Sequence, residues 1–229
     1  LITRILVSTI AQNIEFLRKQ LPNQVRLVAV SKFNPAESVM EAYRVGQRVF
    51  GESQAQELVP KAQLLPKDIE WHFIGHLQTN KVKYIIPYVS LIHAVDSLKL
   101  VQEINKQALQ QHRIMDCLVQ IRIAQEETKY GMTLEESASM LHYISVNNFT
   151  AIRICGVMGL ATDTEDQNQV TKEFQYLTYC FHTLKNTFFQ TSLYFSEISM
   201  GMTHDYPLAI EQGSTLIRVG SGIFGERVY

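Results

Sequence analysis

Apolar positions along the chain fall into short, nearly continuous runs separated by stretches with a helical period. Runs at 26–31, 48–50, 71–74, 91–95, 117–123, 152–158, 194–199 and 216–219 read as strands buried on both faces. Between them, residues 35–46 carry a helical pattern opened by Pro35 and closed by Gly46. Ser97 stands as an N-cap ahead of the next pattern, and Thr133 with Glu136 three residues on forms a capping box. Residues 166–186 place Val170, Phe174, Leu177, Cys180, Phe181 and Leu184 on one face of a long helix, and 206–213 ends on Gly213, a left-handed stop. At the start, Ile2, Ile5, Leu6, Ile10, Ile14, Leu17 and Leu21 follow helical spacing while Arg4 breaks the apolar run. An amphipathic packing helix is expected there rather than a signal peptide, and no span approaches membrane length.

The pattern gives eight strands, the first seven each followed by a helix, behind one leading helix. Regular βα alternation implies an α/β fold with a parallel sheet. Eight units predict a single (β/α)8 TIM-type barrel over 1–229 with an extra N-terminal helix; an open doubly wound sheet is the alternative. In both, ligands gather where strands end and loops begin.

Composition narrows the partners. The chain has 229 residues, 46% hydrophobic and 19% charged, with a formal net charge of −1, so no basic excess exists to neutralise a nucleic-acid backbone. Cys117, Cys155 and Cys180 form no CxxC and read as buried thiols in a reducing compartment. A cytoplasmic location, no membrane contact and a monomer are expected.

Chemistry concentrates at the strand exits. The apolar run 26–31 ends on Lys32, which is either a solvated end-cap or a reactive amine. The second strand exits through Gly51, Glu52 and Ser53, and the third through Gly75 to Lys81 with His76 among them. The fourth gives Asp96, and the loop after the fifth carries Lys129, Tyr130 and Gly131. The seventh exits through Ser199, Met200, Gly201, Met202, Thr203, His204 and Asp205, and the eighth gives Arg218 and then GSGIFG at 220–225.

GSGIFG matches GxGxxG, but with only 226–229 beyond it no helix is expected to face a pyrophosphate, and a dinucleotide site is rejected. A tight packing turn is one reading. The other is an anion nest for a single phosphate, in the place where barrels usually hold one, with Thr203 as a further donor. His72 and His76 are four apart on a strand rather than a helix and have no glutamate between them. They read as one packed and one loop histidine, and no metal site is expected. No GxSxG elbow occurs.

A phosphate nest opposite a strand-end amine suits a phosphorylated aldehyde. A desolvated lysine is more often neutral and can form a Schiff base with the carbonyl. Pyridoxal 5′-phosphate (PLP) is such a ligand; its pyridine nitrogen needs a partner, which Arg218 is placed to supply.

The segments AVSK (29–32), GQRVFGES (46–53), EWHFIGHLQTNK (70–81), KYGM (129–132), SMGMTHD (199–205) and IRVGSGIFGER (217–227) resemble the PLP homeostasis proteins, which look like the N-terminal barrel of alanine racemase. The resemblance covers nearly the whole chain. It implies Lys32 as the aldimine lysine, Thr203, Gly220 and Ser221 near the phosphate, and Arg218 near the pyridine nitrogen. Ser53 and Met200, on the same strand exits, complete the candidate cofactor-binding set. The family usually has Asn where this chain has Ser53, and often Ser where it has Thr203, a change that keeps the hydroxyl.

The resemblance implies a protein that holds PLP and buffers or delivers it, with PLP-dependent apoenzymes as possible recipients, rather than an enzyme with turnover. Two features agree with that expectation. The chain stops soon after the eighth strand, so no second domain is expected to supply an opposing acid or base. An arginine beside the pyridine nitrogen disfavours ring protonation and leaves a poorer electron sink. The alternatives are a small PLP-dependent racemase or lyase, with His76, His204 or Tyr130 as second base, and a Schiff-base aldolase acting on sugar phosphates without a cofactor.

Overall fold

The computed structural model describes residues 9–125 and 130–225. Its strands are β1 (Arg26–Val30), β2 (Val49–Glu52), β3 (Glu70–Phe73), β4 (Val89–Val95), β5 (Met115–Gln120), β6 (Ile152–Met158), β7 (Glu197–Ser199) and β8 (Leu216–Val219). They pair in chain order, all parallel, and β8 returns to β1, so the sheet is a closed barrel and the open-sheet alternative falls.

The helices among the described residues are α1 (Ile10–Gln20), α2 (Ala36–Arg44), α3 (Ala55–Leu64), α4 (Val82–Ile85), α5 (Leu98–Gln110), α6 (Leu134–Val146), α7 (Gln167–Phe188), α8 (Tyr206–Glu211) and α9 (Ser221–Phe224). A 3₁₀ turn, Thr79–Lys81, leads into α4. Local chemistry starts several of them. Thr9 and Gln12 form a capping box at α1, Ser97 accepts from the Leu100 N–H at α5, and Thr133 with Glu136 caps α6. Gly213 has φ of +95° just past α8, the left-handed stop the sequence predicts. The leading helix begins only at Ile10; the apolar positions Ile2, Ile5 and Leu6 lie outside the described residues.

Strand alternation sorts the core into two layers. Ala29, Phe50, Ile92, Val119, Val157 and Ile217 face outward and join the helices, with Phe174, Leu177 and Leu184 of α7 fully buried among them. Val28, Leu91, Leu118, Cys155, Met158 and Leu216 form a separate cluster inside the barrel. Each fully buried aliphatic or aromatic side chain contributes about 1.5–3 kcal/mol relative to exposure. The three cysteines are free and buried, and desolvation pushes their thiols up from the ordinary value. Among the described residues no helix is long and apolar enough to cross a membrane.

One expectation is corrected. The glycine segment does carry a helix, the single turn α9, with Gly220 at its N-cap. The turn is built from GSGIFG itself, not from residues after it.

Candidate functional site at the barrel mouth

Lys32 is half-buried at the exit of β1, and the turn around it is held from several sides. The Ser31 N–H donates to Gly51 O at 3.0 Å, and the Asn34 N–H to Ser31 O at 3.1 Å. The Asn34 side-chain amide donates to Lys32 O at 3.1 Å. Phe33 is left-handed with φ of +66°, a conformation that costs a non-glycine residue roughly 1–2 kcal/mol. Its N–H donates to Glu57 Oε2 at 2.7 Å, which offsets part of that cost.

Beneath this turn lies a buried ion pair. Lys61 Nζ of α3 donates to Glu52 Oε1 at 2.7 Å and to Ser31 O at 2.9 Å, and the Ser31 hydroxyl donates to the same Glu52 oxygen at 2.7 Å. Burial pushes the Glu52 carboxyl up from its ordinary value, while Lys61 pulls the other way. Ser31 and Glu52 thus face the helix layer. Lys32 follows in the turn, one residue past Ser31 and two past the end of β1.

The other wall comes from β8. Ala29 pairs with Val219, so the exits of β1 and β8 are neighbours. A Cβ placed on Gly220 would lie 3.5 Å from both Cβ and O of Val30. The N–H groups of Gly220 and Gly222 both point at Thr203 Oγ1, each at 3.4 Å, and the Ser221 hydroxyl lies 3.3 Å from it. Three donors sharing one neutral oxygen at such lengths are weakly satisfied. Space at Gly222 is tight: a Cβ there would meet Val219 Cγ1 at 3.0 Å and Thr203 Cγ2 at 3.2 Å.

Arg218 lies inside the barrel and is 4% exposed. It donates to Ser199 Oγ at 2.5 Å and to Gly159 O at 2.9 Å. Burial lowers its pKa to about 10, with Asp205 opposing, so it stays charged at neutral pH. Ser199 Oγ is also 2.9 Å from Nδ1 of His93, whose Nε2 is 3.0 Å from Nδ1 of His72. Desolvation, the largest cause in both, depresses His72 to about 3 and His93 well below its ordinary value.

On the rim, Ser53 at the β2 exit packs against Gly75, where a Cβ would lie 2.5 Å from Ser53 O. His76 Nδ1 is 3.1 Å from Asp96 Oδ2, and its ring stacks on Tyr130 with centroids 4.0 Å apart. His72 and His76 therefore have different partners, one in the core and one in a loop. His204 is exposed, and Lys129 lies outside the described residues.

Of the sequence-based candidates, the fold brings Thr203, Gly220 and Ser221 together, with Arg218 just below on β8 and Lys32 on the adjoining strand exit. Met200 is different. Its side chain is fully buried in the outer core, because the alternation that turns Ser199 toward Arg218 turns Met200 away. Sequence reasoning missed Glu52, Glu57 and Lys61 as supports of the Lys32 turn, and Ser199 and His93 as neighbours of Arg218. Same-face parity of Arg218, Ser199 and His93 was a readable signal; the reach of Lys61 to Ser31 was not.

Residues 5–228 match the family model described as alanine racemase, N-terminal domain. A PLP homeostasis protein of Aquifex aeolicus (strain VF5) is 36% identical over 209 residues, covering 90% of this chain and 89% of the relative. The chain belongs to this family. PipY of Synechococcus elongatus PCC7942, solved with PLP bound, superposes with a TM-score of 0.86 at 33% identity, covering 95% of this chain and 100% of PipY. Alanine racemase of E. faecalis shares the fold at 16% identity and a TM-score of 0.70; this chain covers 58% of its length. PLP homeostasis proteins thus match this chain over most of their length, whereas the racemase includes a large part that this chain does not match.

Proposed function

We propose that this protein binds PLP in vitamin B6 homeostasis, and buffers or delivers it to PLP-dependent apoenzymes without turnover of its own, as a cytoplasmic monomer. The β1–β8 seam carries the reading, because it makes the Lys32 exit and the glycine segment neighbours. The residues fit the group. The three donors converging on Thr203 Oγ1 match a phosphate, whose charged oxygens accept them more strongly than a neutral hydroxyl does. Arg218 is a buried, charged donor suited to a ring nitrogen that keeps its lone pair. Lys32 would hold the ligand by a C=N bond: its amine adds to the aldehyde carbon, the aldehyde oxygen leaves as water, and the reverse step releases the cofactor. Ser53, at the exit of β2 beside β1, would border the same site.

When bound, PLP supplies an electron sink, and a protonated ring nitrogen strengthens it. A permanently charged donor at that nitrogen opposes protonation, which agrees with a carrier. The names of the relatives, homeostasis proteins, point the same way. The test is an absorption titration of apoprotein with PLP. Wild type should develop the imine band, Lys32→Ala should not, and a wild-type protein that never develops it would end this reading.

A second reading rests on Asp96, His76 and Tyr130, a carboxylate–imidazole pair and a phenol at the mouth, the composition of a proton-transfer group. It predicts solvent deuterium at the α-carbon of amino acids at about 1 s⁻¹ or faster, abolished in His76→Ala. No incorporation above the rate of free PLP favours the carrier.

A further inference from the structure

Arg218 sits at one end of a file of buried polar side chains that spans the barrel interior, and the direction of that file follows from its donors and acceptors. A guanidinium only donates, so Ser199 Oγ accepts from Arg218. Ser199 is fully buried, and among the described residues its hydroxyl proton has one nearby acceptor, Nδ1 of His93. His93 then carries its own proton on Nε2 and donates it to Nδ1 of His72. His72 is left with its proton on Nε2. It lines a cavity of about 260 Å³ at the opposite end of the barrel, whose walls carry the carboxylates of Glu70, Asp116 and Glu197 and their ion-pair partners Arg26 and Arg153. The reverse direction would strand the Ser199 proton in a buried site, at a cost no other contact offsets.

We propose that Ser199, His93 and His72 are positioning residues: a one-directional file of hydrogen bonds that holds Arg218 as a fixed donor below the cofactor pocket and so keeps the pyridine nitrogen unprotonated. The inference rests on the PLP reading for its second half only; the proton arrangement belongs to the apoprotein. Burial, the largest cause, keeps both imidazoles neutral, with the cations Arg26 and Arg218 acting the same way; Glu70, Asp116, Glu197 and Arg153 also line the cavity beside His72.

The test has two arms. In apoprotein, long-range nitrogen–proton NMR should show His72 and His93 as neutral Nε2–H tautomers from about pH 5 to about pH 8. An Nδ1–H or a charged ring at either position overturns the file. In the second arm, protein is loaded with PLP labelled at the ring nitrogen. Ser199→Ala should move that nitrogen resonance toward the protonated value and weaken PLP binding about tenfold, and Ser199→Thr should restore both. A resonance unchanged in Ser199→Ala and His93→Phe alike overturns the positioning role. Wild-type protein that takes up no PLP overturns the functional reading and this second half with it, while the tautomers still stand or fall on the first arm.

Discussion

Ala29 pairs with Val219 across the seam that closes the barrel. That one register makes the first and last strand exits neighbours, although almost two hundred residues of chain lie between them. It brings the end of a buried apolar strand, Val30, against Gly220, the N-cap of a single helical turn. The Lys32 exit and the donors around Thr203 are therefore neighbours at the barrel mouth. The predictions below each test a different part of that arrangement.

Thr203 should report on phosphate. Thr203→Val removes the hydroxyl on which the Gly220 and Gly222 N–H groups converge while keeping its shape. PLP affinity should fall about 10- to 100-fold, the range for one hydrogen bond to a charged group, whereas pyridoxal, which lacks the phosphate, should bind the variant and wild type alike. Titration of both ligands checks this, and equal losses for the two would remove Thr203 from the phosphate.

The Glu52–Lys61 pair should matter through the turn it supports. Lys61→Met leaves Glu52, which is fully buried, without its cation and should destabilise the fold by about 3–5 kcal/mol. Replacing both, as Glu52→Leu with Lys61→Met, should cost clearly less than the two single changes added together. Denaturant unfolding of the four proteins gives the coupling. The double variant should still bind PLP more weakly, because Ser31 O and the Ser31 hydroxyl lose their partners next to Lys32.

Acid should weaken the fold through the buried histidines. His72 is depressed to about 3 in the folded protein, so between its unfolded value and that point the unfolded chain binds the extra proton. Stability present above the unfolded pKa is lost as pH falls, by about 1.4 kcal/mol per pH unit for such a group, or about 2 kcal/mol between pH 6.5 and 5. His93, shifted the same way, adds to the slope. Urea unfolding at several pH values should show the decline, and His72→Gln should flatten it even if that variant is less stable at neutral pH.

Much of this fold was legible because a parallel barrel writes each strand as a buried run and each helix with its own cap. The runs at 152–158 and 216–219 match β6 and β8 residue for residue. Thr133 with Glu136 starts α6 as read. Other strand boundaries moved for tertiary reasons. The run at 194–199 opens on Tyr194 and Phe195, but the Phe195 ring stacks between Phe181 and Phe189 of the helix layer, and the strand starts only at Glu197. There Glu197 O approaches Gly156 so closely that a Cβ would lie 1.8 Å away, a fit that no local pattern announces. In the site, sequence motifs pointed to Thr203, Gly220, Ser221 and Arg218. They did not reveal that Met200 turns outward, nor that Lys61 reaches back to Ser31, because each depends on which face of a strand meets which helix.

Borohydride reduction of PLP-saturated protein, followed by peptide mass spectrometry, tests the central claim most directly. A single reduced pyridoxyl adduct on Lys32 is the predicted result, and it should vanish in Lys32→Ala. An unmodified Lys32, or an adduct on another lysine in the saturated protein, would contradict the account.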